Sequence, residues 1–139
     1  MKLPPDFDLR SDLHLMIWKP RGMLNEKVVN RIIAFIRDEE AKSDANERRF
    51  IDTRHLTAVD LNFRYVFHVA LYRRMSRMGG SEIKSAFLVK DPGFAHYFKL
   101  HQMLTDHSPL KVRLFEDVQS AADWLELPWE TLQIAAAQT

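Results

Sequence analysis

Near its start the chain alternates hydrophobic and polar residues, with the hydrophobic ones at Phe7, Leu9, Leu13, Leu15 and Ile17. Such alternation predicts a strand with one buried face, or a hairpin that turns at Ser11 and Asp12. Between Leu24 and Ile36 the apolar residues instead recur three and four positions apart, which predicts a helix with Asn25 as its N-cap. The chain is therefore expected to begin with a strand or hairpin followed by a helix.

Strands and helices go on alternating along the rest of the chain. Residues 83–90 contain the run Ala86-Phe87-Leu88-Val89, which is apolar on both faces, as in a central strand covered by helices on two sides. Thr57 with Asp60 three residues later resembles a capping box and predicts the start of a second helix. Other strands are predicted at 49–52 and 110–115. Three more helices are predicted: one that begins near Pro92, one at 118–125 and one at about 128–137.

This alternation of short strands and helices indicates the α/β class. Links of a few residues favour a mostly parallel sheet of four to five strands, flanked by helices and built from successive β-α units. The length of 139 residues fits one domain over 1–139 with a single substantial core.

The second helix carries apolar residues on two faces. A helical wheel places Val59, Phe63, Val66, Phe67 and Ala70 on a face that is expected to join the core. The opposite face, where charges are expected on a solvated helix, carries Leu61, Tyr65, Tyr72 and Met75. Either the C-terminal helix with Trp129 and Leu132 covers this face, or a second subunit does so in a homodimer; the sequence leaves both open.

The order of these elements and three segments resemble the STAS-like domains of the SpoIIAA-like fold, which are relatives of the anti-sigma-factor antagonists. The segments are Phe50-Ile51-Asp52-Thr53, Ala86-Phe87-Leu88-Val89, and Val112-Arg113-Leu114-Phe115 followed by Ala121-Ala122-Asp123-Trp124-Leu125. The resemblance spans roughly Leu13 to Leu127, with the lipid-transfer Sec fourteen-type domains as cousins. It implies a bacterial protein of unassigned role.

The signalling branch of this family carries a phosphorylatable serine, after an aspartate, at the start of its second helix. The matching stretch here reads Val59-Asp60-Leu61-Asn62 and has no serine at that point. The resemblance therefore implies a STAS-like domain without the phosphorylation switch.

Composition and charge narrow the range of functions. Twenty Lys plus Arg against nineteen Asp plus Glu give a net charge of +1, so the whole molecule has no strong attraction to nucleic acid. The absence of cysteine excludes thiolate chemistry and fits a reducing compartment. Neither a secretion signal nor an apolar run long enough for an integral membrane segment is recognisable, so a cytoplasmic protein is expected.

Motifs for catalysis and for cofactors are missing. His96, His101 and His107 are spaced too widely to share one helix face, so no metal site is predicted. No nucleophile elbow and no glycine-rich phosphate loop occur, and no cofactor is predicted. An enzyme that uses loop acids and His55 is the least favoured class, because no paired carboxylates or ordered triad can be located.

Charged residues mark the predicted carboxyl ends of the parallel strands, where open α/β sheets bind ligands. Arg21, Arg54, His55 and Lys90 are the cationic candidates at this edge. Helix N-termini open at the same edge and favour anions. A small acidic ligand is therefore expected between these residues.

Two hypotheses about function remain. A non-catalytic regulatory or protein-interaction domain, acting on a protein partner or on itself, is favoured because the resemblance spans the chain and catalytic motifs are missing. The alternative is a carrier or sensor of a small lipid-like or anionic ligand at the carboxyl ends of the strands.

Overall fold

The computed structural model describes residues 3–42 and 48–132. The strands are β1 (Phe7–Arg10), β2 (Leu15–Trp18), β3 (Gly22–Asn25), β4 (Arg48–Asp52), β5 (Leu56–Asp60), β6 (Ile83–Leu88) and β7 (Leu110–Phe115). The helices are α1 (Glu26–Lys42), α2 (Phe63–Ser76), α3 (Pro92–Thr105) and α4 (Val118–Leu125). Residues 129–132 are also helical, and the remainder of the helix predicted at 128–137 lies outside the described residues. No helix in the described parts of the chain is both long and apolar enough to cross a membrane.

The central element is a five-stranded sheet with the order β1-β2-β4-β6-β7. β1 is antiparallel to β2, and the other neighbours are parallel. This arrangement confirms the predicted α/β class with a mostly parallel sheet. The hairpin alternative for the start of the chain is correct, because Phe7 pairs with Trp18 and the turn lies at Ser11–Leu13. The apolar strand β6 is interior and the alternating strand β7 forms an edge, as the sequence predicted.

A second, two-stranded parallel sheet of β3 and β5 was not predicted. Thr57 and Asp60 lie within β5, so the expected capping box at these residues is wrong. Helix α2 instead begins at Phe63, where the Asn62 side chain accepts a hydrogen bond of 2.7 Å from the backbone N–H of Tyr65. Asn25 does cap α1, accepting a hydrogen bond of 3.0 Å from the Val28 N–H.

The five-stranded sheet has two differently covered faces, because side chains alternate along each strand. Residues such as Phe50 and Leu88 point to one face and pack with α4 in a core that also contains Leu132. Ile51 and Phe87 point to the other face, towards α1, α2 and α3. Leu132, from the predicted C-terminal helix, and the helix α2 therefore lie on opposite sides of the sheet.

Helix α2 is rotated relative to the predicted core face. Val66 and Ala70 are buried as expected, but Phe63 and Phe67 are exposed. Arg73 is buried in their place, only 3% exposed, because Glu40 of α1 pairs with its guanidinium. The prediction that Phe63 and Phe67 join the core is wrong for this reason.

Candidate functional site

The cationic residues at the carboxyl ends of the strands already pair with neighbouring carboxylates. Arg54 donates two side-chain hydrogen bonds to the fully buried Asp52, from Nε to Oδ1 at 3.0 Å and from Nη2 to Oδ2 at 2.9 Å. Arg21 lies 3.3 Å from Asp6. The paired hydrogen bonds of Arg54 hold its pKa above the ordinary value. Arg54 is therefore held by the buried Asp52, whereas Arg21 forms an ion pair that stays largely exposed.

The other two predicted ligand residues have no carboxylate partner of this kind among the described ion pairs. The His55 carbonyl accepts a hydrogen bond from the Gly22 N–H, which links the loop between β4 and β5 to the start of β3. The Nε2 atom of the His55 ring is buried. Lys90 is exposed just past the end of β6. The pKa of Asp117 is lowered mainly by hydrogen bonds from Ser120 and to a smaller extent by the charge of Lys90. His55 thus lies beside both Arg54, its neighbour in sequence, and the Arg21–Gly22 segment.

Two of the four residues predicted to form an interface face α1. The Tyr65 hydroxyl bonds to the Asn30 Oδ1 at 2.5 Å and to the Glu26 carbonyl at 3.2 Å. Burial and the charge of Glu26 raise the pKa of Tyr65. Leu61 is half-buried against the second core cluster, between the sheet and the helices. The expectation that something covers these two residues is met by α1, which neither of the predicted covers included.

The other two interface residues remain accessible. Tyr72 accepts a hydrogen bond of 3.4 Å from Arg37 of α1, yet 41% of its surface is exposed. Met75 is 67% exposed. The predicted interface is therefore divided between the contact with α1 and the outer surface of α2.

A pocket of about 130 Å³ lies between α1, α2, α3 and the sheet. One row of its floor crosses the sheet through Trp18, Ile51 and Phe87, which are paired in register. The next row contains Arg49 paired with Ser85. The floor thus changes from aromatic and aliphatic at the carboxyl ends of the strands to polar nearer their amino ends.

The polar end of the pocket contains a buried ionic cluster. Glu40 of α1 receives a two-pronged contact from Arg73, at 3.0 and 2.7 Å, and a third hydrogen bond of 2.5 Å from Arg49. Burial alone would raise the pKa of Glu40, but the two arginines lower it to about 2. The cluster ties α1 to α2 and to β4, and Glu40 stays ionised at neutral pH.

His101 of α3 lies beside this cluster. Its ring contacts Phe87 edge-on, with 6.1 Å between the ring centroids. Burial and the positive charge of Arg73 lower the pKa of His101 to about 4. The imidazole is therefore neutral at physiological pH and can accept as well as donate a hydrogen bond.

The outer surface of α2 exposes a line of large apolar side chains. The exposed fractions are 56% for Phe63, 44% for Phe67, 40% for Leu71, 67% for Met75 and 64% for Met78, just past the end of the helix. These five residues, called the α2 stripe below, recur at intervals of three and four and so share one side of the helix. At one end Phe63 contacts Tyr97 of α3, with ring centroids 5.1 Å apart.

A solved structure resembles this arrangement over most of its length. It is an uncharacterized protein from the DUF3478 family, with a SpoIIAA-like fold, from Shewanella loihica PV-4. The TM-score is 0.53 with 16% sequence identity, covering 80% of this chain and 83% of the other. The fold is SpoIIAA-like. No family model matches the sequence, and no curated protein matches it either.

Within this SpoIIAA-like fold, the start of α2 is built around Asn62 as its cap. The preceding Asp60 ends β5, and Leu61 turns towards the core. The expectation of a domain without a phosphorylation switch rested on this stretch, in which Leu61 packs against the core and Asn62 caps α2.

Neither the pocket nor the ionic cluster was predicted from the sequence. The pattern placed Arg49 in a predicted strand, and nothing in it connected Arg49 or Arg73 with Glu40. A charged residue within a short buried strand was the available signal, since an ion is buried only with a partner. Identifying Glu40 as that partner required the fold.

Proposed function

We propose that this SpoIIAA-like domain is a non-catalytic interaction module that binds an acidic amphipathic helix of a partner protein on the α2 stripe. The α2 stripe is the observation that carries the proposal. Monomeric proteins seldom expose contiguous apolar patches of more than a few hundred Å² unless the patch binds something. Side chains of a helix at intervals of three and four offer the geometry on which a second helix lays its apolar face.

Charge indicates the chemistry of the partner. No Asp or Glu occurs between Asp60 and Glu82, or between Asp91 and Asp106, so α2 and α3 contain no acid. Their cations include Arg64 and Lys99, which are exposed, and Arg74, which is half-buried and donates to the Leu104 carbonyl. An acidic partner would gain attraction at this surface and would associate faster.

Two other occupants fit less well. A second copy of the chain would bring two acid-free surfaces together, and like charges oppose such contact. An anionic membrane usually requires a cluster of about four to eight exposed basic residues. The two helices expose fewer than that. Methionine side chains such as Met75 and Met78 also adapt readily to the irregular surface of a protein partner.

A catalytic role is not part of the proposal. Glu40 and Asp52 are buried carboxylates, and each is engaged by arginine. The alternative function, a small anionic ligand at the carboxyl ends of the strands, is weakened because Arg54 and Arg21 have carboxylate partners there.

Fluorescence anisotropy with three labelled peptides tests the proposal. The peptides are an acidic amphipathic helix, a basic helix with the same apolar face, and an acidic peptide with the apolar face scrambled. Only the first should bind tightly. Phe67→Asp should weaken it about ten- to one-hundred-fold, because one aromatic anchor is lost.

Met23→Asp is the matched control, since Met23 is 52% exposed but lies on β3. It should leave binding unchanged. Equal binding of all three peptides, or equal losses in both variants, would overturn the proposal. So would binding of anionic vesicles in preference to the acidic peptide, or a dimer that Phe67→Asp dissociates.

A further inference from the structure

We propose that the pocket between α1, α2, α3 and the sheet binds a small neutral aromatic molecule that carries one hydroxyl or carbonyl group. This site lies on the inner side of α2, whereas the α2 stripe lies on the outer side. The two sites use different sides of α2 and can be tested separately, although Tyr97 both lines the pocket and contacts Phe63 of the stripe.

The size of the pocket sets the size of the ligand. At about 130 Å³ it approaches the apolar cavity of about 150 Å³ that stays dry and accepts benzene in another protein. A molecule of one ring fits this volume. A long acyl chain does not, so the lipid-like ligand considered from the sequence is disfavoured in this pocket.

The walls favour an aromatic ring. Trp18, Phe87 and Phe98 line the pocket together with aliphatic residues of α1, such as Ile33 and Ile36. Phe87 and Phe98 are already in contact, with centroids 5.1 Å apart and planes inclined by 35°. Aromatic rings prefer such offset or inclined neighbours, and a ligand ring gains the same contacts.

Two polar groups at the far end supply a place for one hydrogen bond. The Ser85 hydroxyl and the His101 ring both line the pocket, and neither forms a side-chain hydrogen bond within residues 3–42 and 48–132. A polar group in apolar surroundings gains most from a hydrogen-bond partner, because little water reaches it there. A ligand hydroxyl or carbonyl placed at this end would satisfy one of them.

The charges around this end favour a neutral ligand over an anion. Arg73 from α2 and Arg49 from β4 line the pocket together with His101, and both pair with Glu40 of α1. The carboxylate of Glu40 already occupies both guanidinium groups, and it would repel a second carboxylate at the same place. His101 itself is neutral, as its pKa of about 4 requires.

Titration of the ¹⁵N-labelled full chain with phenol, benzene and benzoate tests the inference. The indole N–H of Trp18 and the amides of β4 and β6 report on the pocket. Phenol is expected to cause saturable shifts there, with a dissociation constant of about 1 mM or lower. Benzene should bind about five- to tenfold more weakly, because it lacks the hydrogen bond, and benzoate should cause no such shifts.

Variants locate the effect. Val69→Phe from α2 and Ile33→Phe from α1 each fill the pocket and should abolish the phenol shifts. Ser85→Ala and His101→Phe make only local changes, and at least one of them should remove the preference for phenol over benzene. Leu71→Asp in the α2 stripe should leave phenol binding unchanged, which separates this site from peptide docking.

Absence of phenol shifts in the wild-type chain would overturn the inference, as would equal shifts in a folded pocket-filled variant. Stronger binding of benzoate than of phenol would also contradict it, because the site would then select an anion. None of these results depends on whether the acidic peptide binds the α2 stripe.

Discussion

The two faces of the central sheet are packed in opposite ways. On the α4 face the small residues Ala86, Ala121 and Ala122 are fully buried and let helix and sheet approach closely. On the other face, three helices surround a pocket that contains an ionic cluster and His101. The core on the α4 side, which also includes Leu127 and Leu132, is thus built mainly from buried small and aliphatic residues, whereas the other side surrounds a pocket.

The difference indicates that one face of the sheet mainly stabilises the fold and the other carries the proposed binding sites. Close packing gives the α4 face its stability, because each buried apolar atom has neighbours on all sides. The opposite face has paired charges instead, which stabilise less than apolar packing of the same volume. Both proposed binding sites lie on that side of the sheet. The pocket is on the side of α2 that faces the sheet, and the α2 stripe is on the outer surface of the helix.

The largest effect is expected when the ionic cluster loses its only carboxylate among the described residues. Glu40→Gln leaves Arg49 and Arg73 buried without this counter-charge and should destabilise the protein by about 3–5 kcal/mol in urea unfolding. Asp38→Asn is the control, because that side chain is 68% exposed, and it should change stability by less than about 0.5 kcal/mol. Similar stability of both variants would show that the cluster does not hold the helices.

Truncation of apolar residues should distinguish the two faces directly. Leu125→Ala on the α4 face leaves a new cavity in a closed core and should cost about 3–5 kcal/mol. Ile33→Ala removes a side chain that already borders a pocket, so a smaller loss of about 1–2 kcal/mol is expected. Urea unfolding measures both, and equal losses would contradict the difference in packing.

Acid should destabilise the pocket face in two separate ranges of pH. The folded state keeps His101 neutral down to about pH 4, whereas the unfolded chain binds a proton below about 6.5. Stability should therefore fall as the pH is lowered from 6.5 to 4. Glu40 adds a second loss between about 4.5 and 2, because its folded pKa is depressed and the unfolded carboxylate protonates first.

Unfolding followed at a series of pH values measures these two contributions. His101→Phe should flatten the upper range and leave the lower one. Glu40→Gln should flatten the lower range and leave the upper one. Unchanged slopes in either variant would show that the assigned group does not titrate as described.

The smallest effect on stability is expected at the α2 stripe. Met75→Glu alters a side chain that is 67% exposed, so unfolding should change by less than about 0.5 kcal/mol. Binding of the acidic peptide should nevertheless weaken at least tenfold, through charge repulsion and lost apolar contact. A large loss of stability would show that Met75 supports the fold instead of a partner.

Much of the fold followed from local patterns. The Asn25 cap, the apolar strand β6 and the alternating edge strand β7 depend on residues close in sequence, and the structure confirms them. The orientation of α2 did not follow, because the burial of Arg73 depends on Glu40, 33 positions away. A helical wheel treats arginine as a surface residue and therefore turned Phe63 and Phe67 inward.

The candidate sites were less accessible to sequence reasoning than the fold. The sequence shows which residues follow the strands but not which of them form ion pairs. Arg54 was therefore predicted to bind a ligand, although it pairs with Asp52. The pocket is defined by the spaces between side chains from three helices and the sheet, which no local pattern encodes. The α2 stripe was partly visible, since Met75 had been placed on the second apolar face of the helix.

The central claim is that α2 provides the binding surfaces while the α4 face provides the stable frame. A ¹H–¹⁵N NMR titration of the intact chain with the acidic amphipathic peptide tests it most directly. The account predicts shifts concentrated on α2 and the adjoining side of α3, with α4 unchanged. Shifts centred on α4 or on the carboxyl ends of the strands would contradict it.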